Sequence, residues 1–273
     1  MQHYSRHGII GAAAGYHYGD VLPFLLSLER CGFHGHCYLF VSDTTRDQER
    51  MDDLARSYAL HRLPLHGPDR LDHLPCNALR HFLSLELLQR QVAHLDQVLL
   101  TDVRDVIFQH DPFSFAWGPG LHAVLEHRAA LLGKCPHNSR WVRDHLGAAA
   151  LETIAHCPVS CSGTTLGDTQ DVLDYLERLT SLLLPYEPAR FMAGYDQGVH
   201  NYLIHGTTLP NLTLHDNSGP VLTLATRPGE PLCNEAGEVL NDAGVPAHVV
   251  HQYDRKPHLF RSIRARFQSA AGK

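Results

Sequence analysis

Short apolar runs alternate with amphipathic segments along most of the chain. The apolar runs predict strands over residues 8–14, 37–41, 60–65, 98–100 and 121–126. Between the early runs, apolar residues recur three and four positions apart, which predicts helices over 21–30, 45–58 and 77–95. This alternation predicts an α/β fold in which a mostly parallel central sheet is flanked by helices. Ligands bind such sheets at the carboxyl ends of the strands.

The helix over 77–95 has the most regular apolar stripe, formed by Leu79, Phe82, Leu83, Leu87 and Val92. Further along, 138–155 predicts one or two helices around Gly147, and 168–184 predicts another helix. Residues 211–216 and 221–224 predict two short strands paired with each other. Small residues in 8–14 and glycines in 158–167 would let other groups approach those backbones closely.

The composition of the chain excludes several classes of protein. The chain has 273 residues, 44% of them hydrophobic, which is enough for a sizeable core. The formal net charge is −6, so the chain lacks the excess of basic residues that binding to a nucleic-acid backbone requires. Seven cysteines form no Cys-x-x-Cys pair, which favours a reducing cytoplasm. No run approaches the ~20 apolar residues that a membrane helix requires.

Two carboxylates mark the candidate site. Asp102 and Asp105 come directly after the apolar run at 98–100. Carboxylates on a strand-to-turn segment can converge on one hard divalent cation such as Mg²⁺ or Mn²⁺, which would in turn hold a diphosphate. In the alternative interpretation, Asp102 caps a turn and Asp105 pairs with Arg104 at a solvated edge.

The acidic segment resembles the Asp-x-Asp region of glycosyltransferases with the GT-A fold. In those enzymes a strand ends in two acidic residues, and a short apolar strand and Asp-Pro follow, as they do here over 106–112. The spacing departs from the family pattern, because two residues rather than one separate the acids. A second segment, 194–205, resembles the helix of retaining family 8 enzymes that opens with Asp-Gln. The resemblance implies a GT-A domain over 1–257, with a smaller C-terminal portion on the acceptor side.

The resemblance also implies roles for particular residues. His251, near the end of the last strand, matches the third metal ligand beside Asp102 and Asp105, so the expected cofactor is Mn²⁺ or Mg²⁺. Asp196 and Gln197 would hold the substrate near the reacting face, and neither is assigned as a nucleophile. For Asp196 the alternative is a simple helix N-cap.

The donor would contact residues spread over the whole domain. Tyr16 or Tyr18 could stack on the base, or both could pack the first helix against the sheet. Cys161, Ser162 and Gly163 stand where family 8 enzymes have Asn-Ala-Gly beside the donor sugar. The residues expected to bind the donor are Ala13, Tyr16, Tyr18, Arg80, Thr101, Gly163, Arg255 and Lys256. Arg80 could instead be a solvated helix charge, and either Arg255 or Lys256 could take the diphosphate.

The resemblance implies a metal-dependent glycosyltransferase. It would move a sugar from a nucleotide diphosphate sugar, with UDP as the expected nucleotide, to a glycan or glycolipid hydroxyl with retention. A sugar-1-phosphate nucleotidyltransferase is an alternative, but those enzymes carry an early Gly-rich loop with a basic residue, and 11–15 has none. The 22 histidines leave a second alternative, a non-catalytic metal-binding module.

The C-terminal segment 258–273 is basic and amphipathic. Leu259, Phe260, Ile263 and Phe267 recur at helical spacing. The basic residues in and just before this tail are Arg255, Lys256, Arg261, Arg264, Arg266 and Lys273. Such a helix could lie at the anionic inner membrane surface near a lipid-linked acceptor, or it could pack its apolar face on the domain. A cytoplasmic protein, peripheral at the membrane in the first case, is expected.

Overall fold

The computed structural model describes residues 4–91, 93–188 and 194–271. Its strands are β1 (His7–Ala13), β2 (His36–Val41), β3 (Ala59–Pro64), β4 (Gln97–Thr101), β5 (Val106–Phe108), β6 (Leu121–Leu125), β7 (Ser160–Asp168), β8 (Leu212–His215), β9 (Val221–Thr223) and β10 (Val249–His251). Its α-helices are α1 (Tyr18–Arg30), α2 (Cys76–Gln91), α3 (Pro136–Leu146), α4 (Ala148–Ile154), α5 (Thr169–Leu182), α6 (Tyr195–Gly206) and α7 (Pro257–Ala271).

The central sheet has seven strands in the order β3-β2-β1-β4-β7-β6-β8. β7 runs antiparallel to both its neighbours, whereas the other neighbouring pairs are parallel. A second sheet has the order β5-β10-β9, with β10 antiparallel to β5 and parallel to β9. The predicted α/β architecture, with a mostly parallel central sheet flanked by helices, is confirmed.

Neighbouring residues of the central strands face opposite sides of the sheet. Ile9 and Leu99 lie in an apolar cluster with α1, and Ile10 and Leu100 lie in another with α2 and α5. This follows from the two-residue period of a strand covered on both faces, and it explains why the central runs are continuously apolar.

The close approach predicted for β1 occurs at Gly11. A Cβ at this residue would lie 2.5 Å from Cγ2 of Val103, in the loop that follows β4. Gly11 also pairs with Thr101, so β1 and β4 leave the sheet side by side. The absence of a side chain therefore lets the loop carrying the acidic motif cross over the end of β1.

Several predicted elements differ from the structure. The segment 45–58 forms only a 3-10 turn, Gln48–Leu54, rather than an amphipathic α-helix. α2 ends at Gln91, so the stripe residue Val92 lies outside the described residues. β8 pairs with β6 and β9 with β10, so the expected pairing of these two strands with each other is wrong. Strands of three or four residues carry too little pattern to specify a distant partner. The two helices around Gly147 are confirmed as α3 and α4.

The helix at the C-terminal end packs its apolar face on the domain. Leu259, Ile263 and Phe267 are buried in one cluster with Val250 and Tyr253. This is the second of the two interpretations of the tail. Within residues 4–91, 93–188 and 194–271, no helix is long and apolar enough to cross a membrane. The last basic residue of the tail, at 273, lies outside the described part of the chain.

Candidate functional site

A cleft of about 630 Å³ opens where β1 and β4 leave the central sheet. Its walls come from the loops after these strands, the first turns of α2, α3 and α6, and the segment that follows β10. The charged residues that line it are Arg80, Asp102, Arg104, Asp105, Glu126, Asp196, Asp254 and Arg255. Such a cleft lies at the position where open α/β sheets bind ligands.

Asp102, Asp105 and His251 converge in this cleft. Nε2 of His251 lies 3.3 Å from Oδ2 of Asp102 and 3.9 Å from Oδ1 of Asp105. One ligand atom from each residue lies within 4.8 Å of the others, and no other described group of three acidic, histidine or cysteine side chains meets this condition. The antiparallel register of β10 and β5 places His251 opposite Val106, directly after Asp105. This strand pairing thus brings His251 close to Asp102, which lies 149 positions earlier in the chain.

The backbone beneath these ligands leaves room for them. Gly163, on β7, accepts a hydrogen bond from the amide of Asp102 at 2.8 Å. A Cβ at Gly163 would lie 2.4 Å from Oδ2 of Asp102 and 2.4 Å from Cε1 of His251. A methyl group at position 163 would therefore collide with two of the three side chains. Two carboxylates and an imidazole whose ligand atoms lie within 4.8 Å of one another fit a divalent cation. The group can therefore hold a metal ion.

The electrostatic surroundings differ among the ligands. Burial opposes the charge of Asp102, but Arg80 and His251 outweigh it and hold the pKa of Asp102 well below its usual range. Burial raises the pKa of Asp105 to about 6, and the charge of Asp102 adds to the shift. Burial also disfavours charge on His251, yet Cys161 and both carboxylates raise its pKa above the usual value. A cation that binds Nε2 must therefore displace a proton.

Arg80 bridges the metal group and α6. Its guanidinium contacts Oδ1 of Asp102 and lies 3.4 Å from Oδ2 of Asp196. The interpretation of Arg80 as a solvated helix charge is wrong, because its side chain is only 16% exposed. Two carboxylates raise its pKa despite burial. The arginine therefore remains a cation and fixes the relative positions of two acids in the cleft.

Asp196 and Gln197 both line the cleft at the start of α6. The N-cap of this helix is Gly194, so the interpretation of Asp196 as an N-cap is wrong. Asp196 is 2% exposed, and its Oδ2 lies 3.4 Å from Nε2 of His81. Nε2 of Gln197 donates to Oδ1 of Asn138 at 3.0 Å. Asp196 is therefore held within a buried polar network.

Of the residues expected to bind the nucleotide, only some reach the cleft. Tyr16 lines it. Tyr18 lies in the core, with the guanidinium carbon of Arg50 3.9 Å from its ring centre. Ala13 is fully buried, and Ala12 and Ala14 line the cleft instead. The alternation of side chains along an extended segment explains this, since residue 13 points to the face opposite its neighbours.

Of three further residues expected to contact the donor, only one lines the cleft. Thr101 is buried, and its hydroxyl donates to the carbonyl of Asp102 at 2.9 Å. Arg255 lines the cleft. The ammonium of Lys256 instead donates to the carbonyl of Arg227, and Lys256 is 8% exposed. Of the two basic residues that could meet a diphosphate, the structure therefore places Arg255 at the cleft and turns Lys256 away.

Sequence reasoning did not identify Glu126, Asn138 or Trp141, which also line the cleft. Glu126 directly follows β6 and is 4% exposed, and burial raises its pKa. Glu126 could have been identified from the sequence, because it is an acidic residue at the end of a predicted strand. Trp141 could not, because its position depends on close packing against Gly194, whose Cβ would lie 2.4 Å from the indole.

Comparison with known proteins adds no assignment. No protein-family model matches the chain, and no curated protein matches it significantly.

Proposed function

We propose that this chain is a cation-dependent glycosyltransferase of the GT-A fold. It transfers a sugar from a nucleotide diphosphate sugar, with UDP as the nucleotide, to a hydroxyl of a glycan or glycolipid. The observation that carries the proposal is the convergence of Asp102, Asp105 and His251 in a cleft at the ends of β1 and β4. Three ligands from separate segments, assembled at the ligand-binding edge of an α/β sheet, support a site built for catalysis.

The cation in this proposal is Mn²⁺ or Mg²⁺. Two carboxylates suit either ion, and an imidazole ligand favours the softer Mn²⁺. When bound, the cation would neutralise the negative charge that develops on the departing diphosphate. Arg255, which lines the same cleft, can donate to phosphate oxygens from its planar guanidinium. The protein therefore supplies positive charge from its own side chains as well.

The remaining side chains suit the other parts of a nucleotide sugar. Tyr16 offers a ring for the base beside Ala12 and Ala14, whose small side chains admit a close approach. Asn138 and Gln197 present amides, whose donors and acceptors match sugar hydroxyls. Arg80 contacts Asp102 of the metal group and lies 3.4 Å from Asp196, which directly precedes Gln197. Retention follows from the resemblance of Asp196 and Gln197 to the family 8 pair.

Two other functions receive less support. A nucleotidyltransferase would need a basic side chain in a Gly-rich segment early in the chain, but residues 11–15 carry none. A non-catalytic module that sequesters several ions would need further ligand groups. The part of the chain that the structure describes has one group of three or more.

A thermal-shift panel tests the proposal. UDP-, GDP- and CDP-sugars are each added with and without Mn²⁺, because a ligand that binds only the native state raises its melting temperature. We expect the largest rise with a UDP-sugar and Mn²⁺ together. The Asp105→Asn variant is the control and should lose this rise. The proposal would be refuted if no nucleotide sugar shifted the native chain in the presence of Mn²⁺.

A further inference from the structure

The two ring nitrogens of His251 have different surroundings. Nε2 faces the carboxylates of Asp102 and Asp105. Nδ1 lies 3.8 Å from Sγ of Cys161, within the range of a hydrogen bond to sulfur. A neutral imidazole offers a lone pair at one nitrogen only. Nε2 can therefore ligate a cation only while Nδ1 carries the ring proton, and that proton needs an acceptor because His251 is fully buried.

The amides around Cys161 define the direction of each hydrogen bond. Oε1 of Gln252 accepts from the amide of Ala225 at 3.0 Å, which turns Nε2 of Gln252 toward the sulfur at 3.6 Å. Nε2 of Gln197 donates to Asn138, which turns its Oε1 toward the sulfur at 3.7 Å. The thiol proton is thus directed at Gln197, and the sulfur lone pairs remain for His251 and Gln252.

Cys161 is deeply buried, with 2% of its surface exposed, and its sulfur lies within hydrogen-bond range of His251, Gln197 and Gln252. Deep burial makes it a poor nucleophile or oxidation site. Its role follows from the hydrogen bonds that it makes.

We propose that Cys161 is a positioning residue whose sulfur accepts Nδ1–H of His251 and so holds Nε2 toward the cation site. Its thiol proton links this ligand to Gln197 at the start of α6. The inference rests on the proposed cation site and adds an outer residue to it. Histidine ligands of metals are generally held through their second nitrogen, and loss of that partner costs about 10- to 100-fold in metal affinity.

Calorimetric titration with Mn²⁺ alone tests the role without any substrate. Cys161→Ala should bind Mn²⁺ roughly 10- to 100-fold more weakly than the native chain. Cys161→Ser should lose less affinity, because its hydroxyl can still accept the proton but lies farther from the ring. The matched control is Cys37→Ala, which removes another fully buried thiol from β2 and should bind Mn²⁺ as the native chain does.

A spectroscopic measurement separates positioning from general loosening of the site. In protein labelled with ¹⁵N-histidine, the Nδ1–H resonance of His251 should shift in Cys161→Ala and stay in place in Cys37→Ala. The spectra are recorded without metal and with diamagnetic Mg²⁺. Circular dichroism confirms that each variant is folded, and Cys161→Ser serves if the alanine variant is not.

The outcomes are distinguishable. If the native chain binds no Mn²⁺, the proposed function fails, and this inference falls with it before any variant is compared. If the native chain binds and Cys161→Ala binds equally well, the inference alone is overturned. It is also overturned if affinity falls while the Nδ1–H resonance is unchanged, because the loss would then come from packing.

Discussion

Gly163 accepts a hydrogen bond from the amide of Asp102 at 2.8 Å, and its missing side chain makes room for the carboxylate of the same aspartate. A Cβ at position 163 would lie 2.4 Å from Oδ2 of Asp102. The backbone that orients this ligand therefore also limits the space around it. The close contact is a property of three segments, β4, β7 and β10, which meet at this point.

Gly163→Ala should weaken Mn²⁺ binding by more than about 10-fold, because the added methyl must displace a ligand. Calorimetry measures the change. The matched control is Thr164→Val on the same strand. The hydroxyl of Thr164 has no hydrogen-bond partner in the described chain, so its loss should leave both the fold and Mn²⁺ binding intact. Native affinity in the alanine variant would contradict the assignment of the cation site.

Asp105→Asn should abolish Mn²⁺ binding and raise the melting temperature at pH 7. Burial raises the pKa of Asp105 to about 6, so the folded state holds its proton more tightly than the unfolded state does. Ionisation then costs stability as the pH rises from about 4 to 6, and the amide removes this cost. Thermal unfolding at pH 5 and 7 should show a larger gain at pH 7. A loss of stability at pH 7 would contradict the expected burial of charge.

The sequence was sufficient for the central strands and for bringing together the first two candidate metal ligands. Asp102 directly follows β4 and Asp105 comes three residues later, so local order alone brings them to the ligand-binding edge. His251 could be placed only through a resemblance, because its position depends on the pairing of β10 with β5. Long-range pairing of strands three residues long is not encoded in a local pattern.

Errors within the site have equally local causes. Ala13 was expected to contact the donor, but it is fully buried while Ala12 and Ala14 line the cleft, since the face of an extended segment alternates at every position. Gln252 adopts a left-handed conformation at φ 58°, which redirects the chain after β10. The side chains of Arg255 and Lys256 beyond it go to different places, Arg255 to the cleft and Lys256 to the carbonyl of Arg227. A left-handed conformation at a residue other than glycine is uncommon and is difficult to predict from the sequence.

Gln197→Ala should reduce turnover more than donor affinity. Its amide lines the cleft and is held by Asn138, so its contacts with the sugar can strengthen as the transition state forms. Comparison of kcat and KM checks this, with Gln170→Ala on the exposed face of α5 as the control. NMR of the product from an α-linked donor should show an α linkage. A β linkage would refute retention.

His200→Gln should make the protein less sensitive to acid. His200 is fully buried between Oγ of Ser160 at 2.9 Å and the hydroxyl of Tyr175 at 2.7 Å, and burial lowers its pKa to about 3. Below pH 6.5 the unfolded chain takes up a proton that the folded state excludes, so native stability falls as pH decreases, by up to about 1.4 kcal/mol per unit.

Urea unfolding at pH 7.5, 6 and 5 measures this slope. The variant should be less stable at pH 7.5, because it loses buried hydrogen bonds, but its stability should fall less steeply toward pH 5. His94→Gln, at an exposed position, should retain the native slope. An unchanged slope in the His200 variant would show that another group dominates the acid response.

The helix α7 should bind anionic vesicles only through charge. Leu259, Ile263 and Phe267 are buried against the domain, which leaves exposed Arg261 and Arg266 to meet a membrane, each worth about 1 kcal/mol near the surface. We therefore expect a small fraction of the protein to float with anionic vesicles at low salt and none at high salt, because salt screens exposed charges. Arg261→Glu with Arg266→Glu should abolish the low-salt signal. Flotation that persists at high salt would mean that the apolar face leaves the domain and inserts into the lipid.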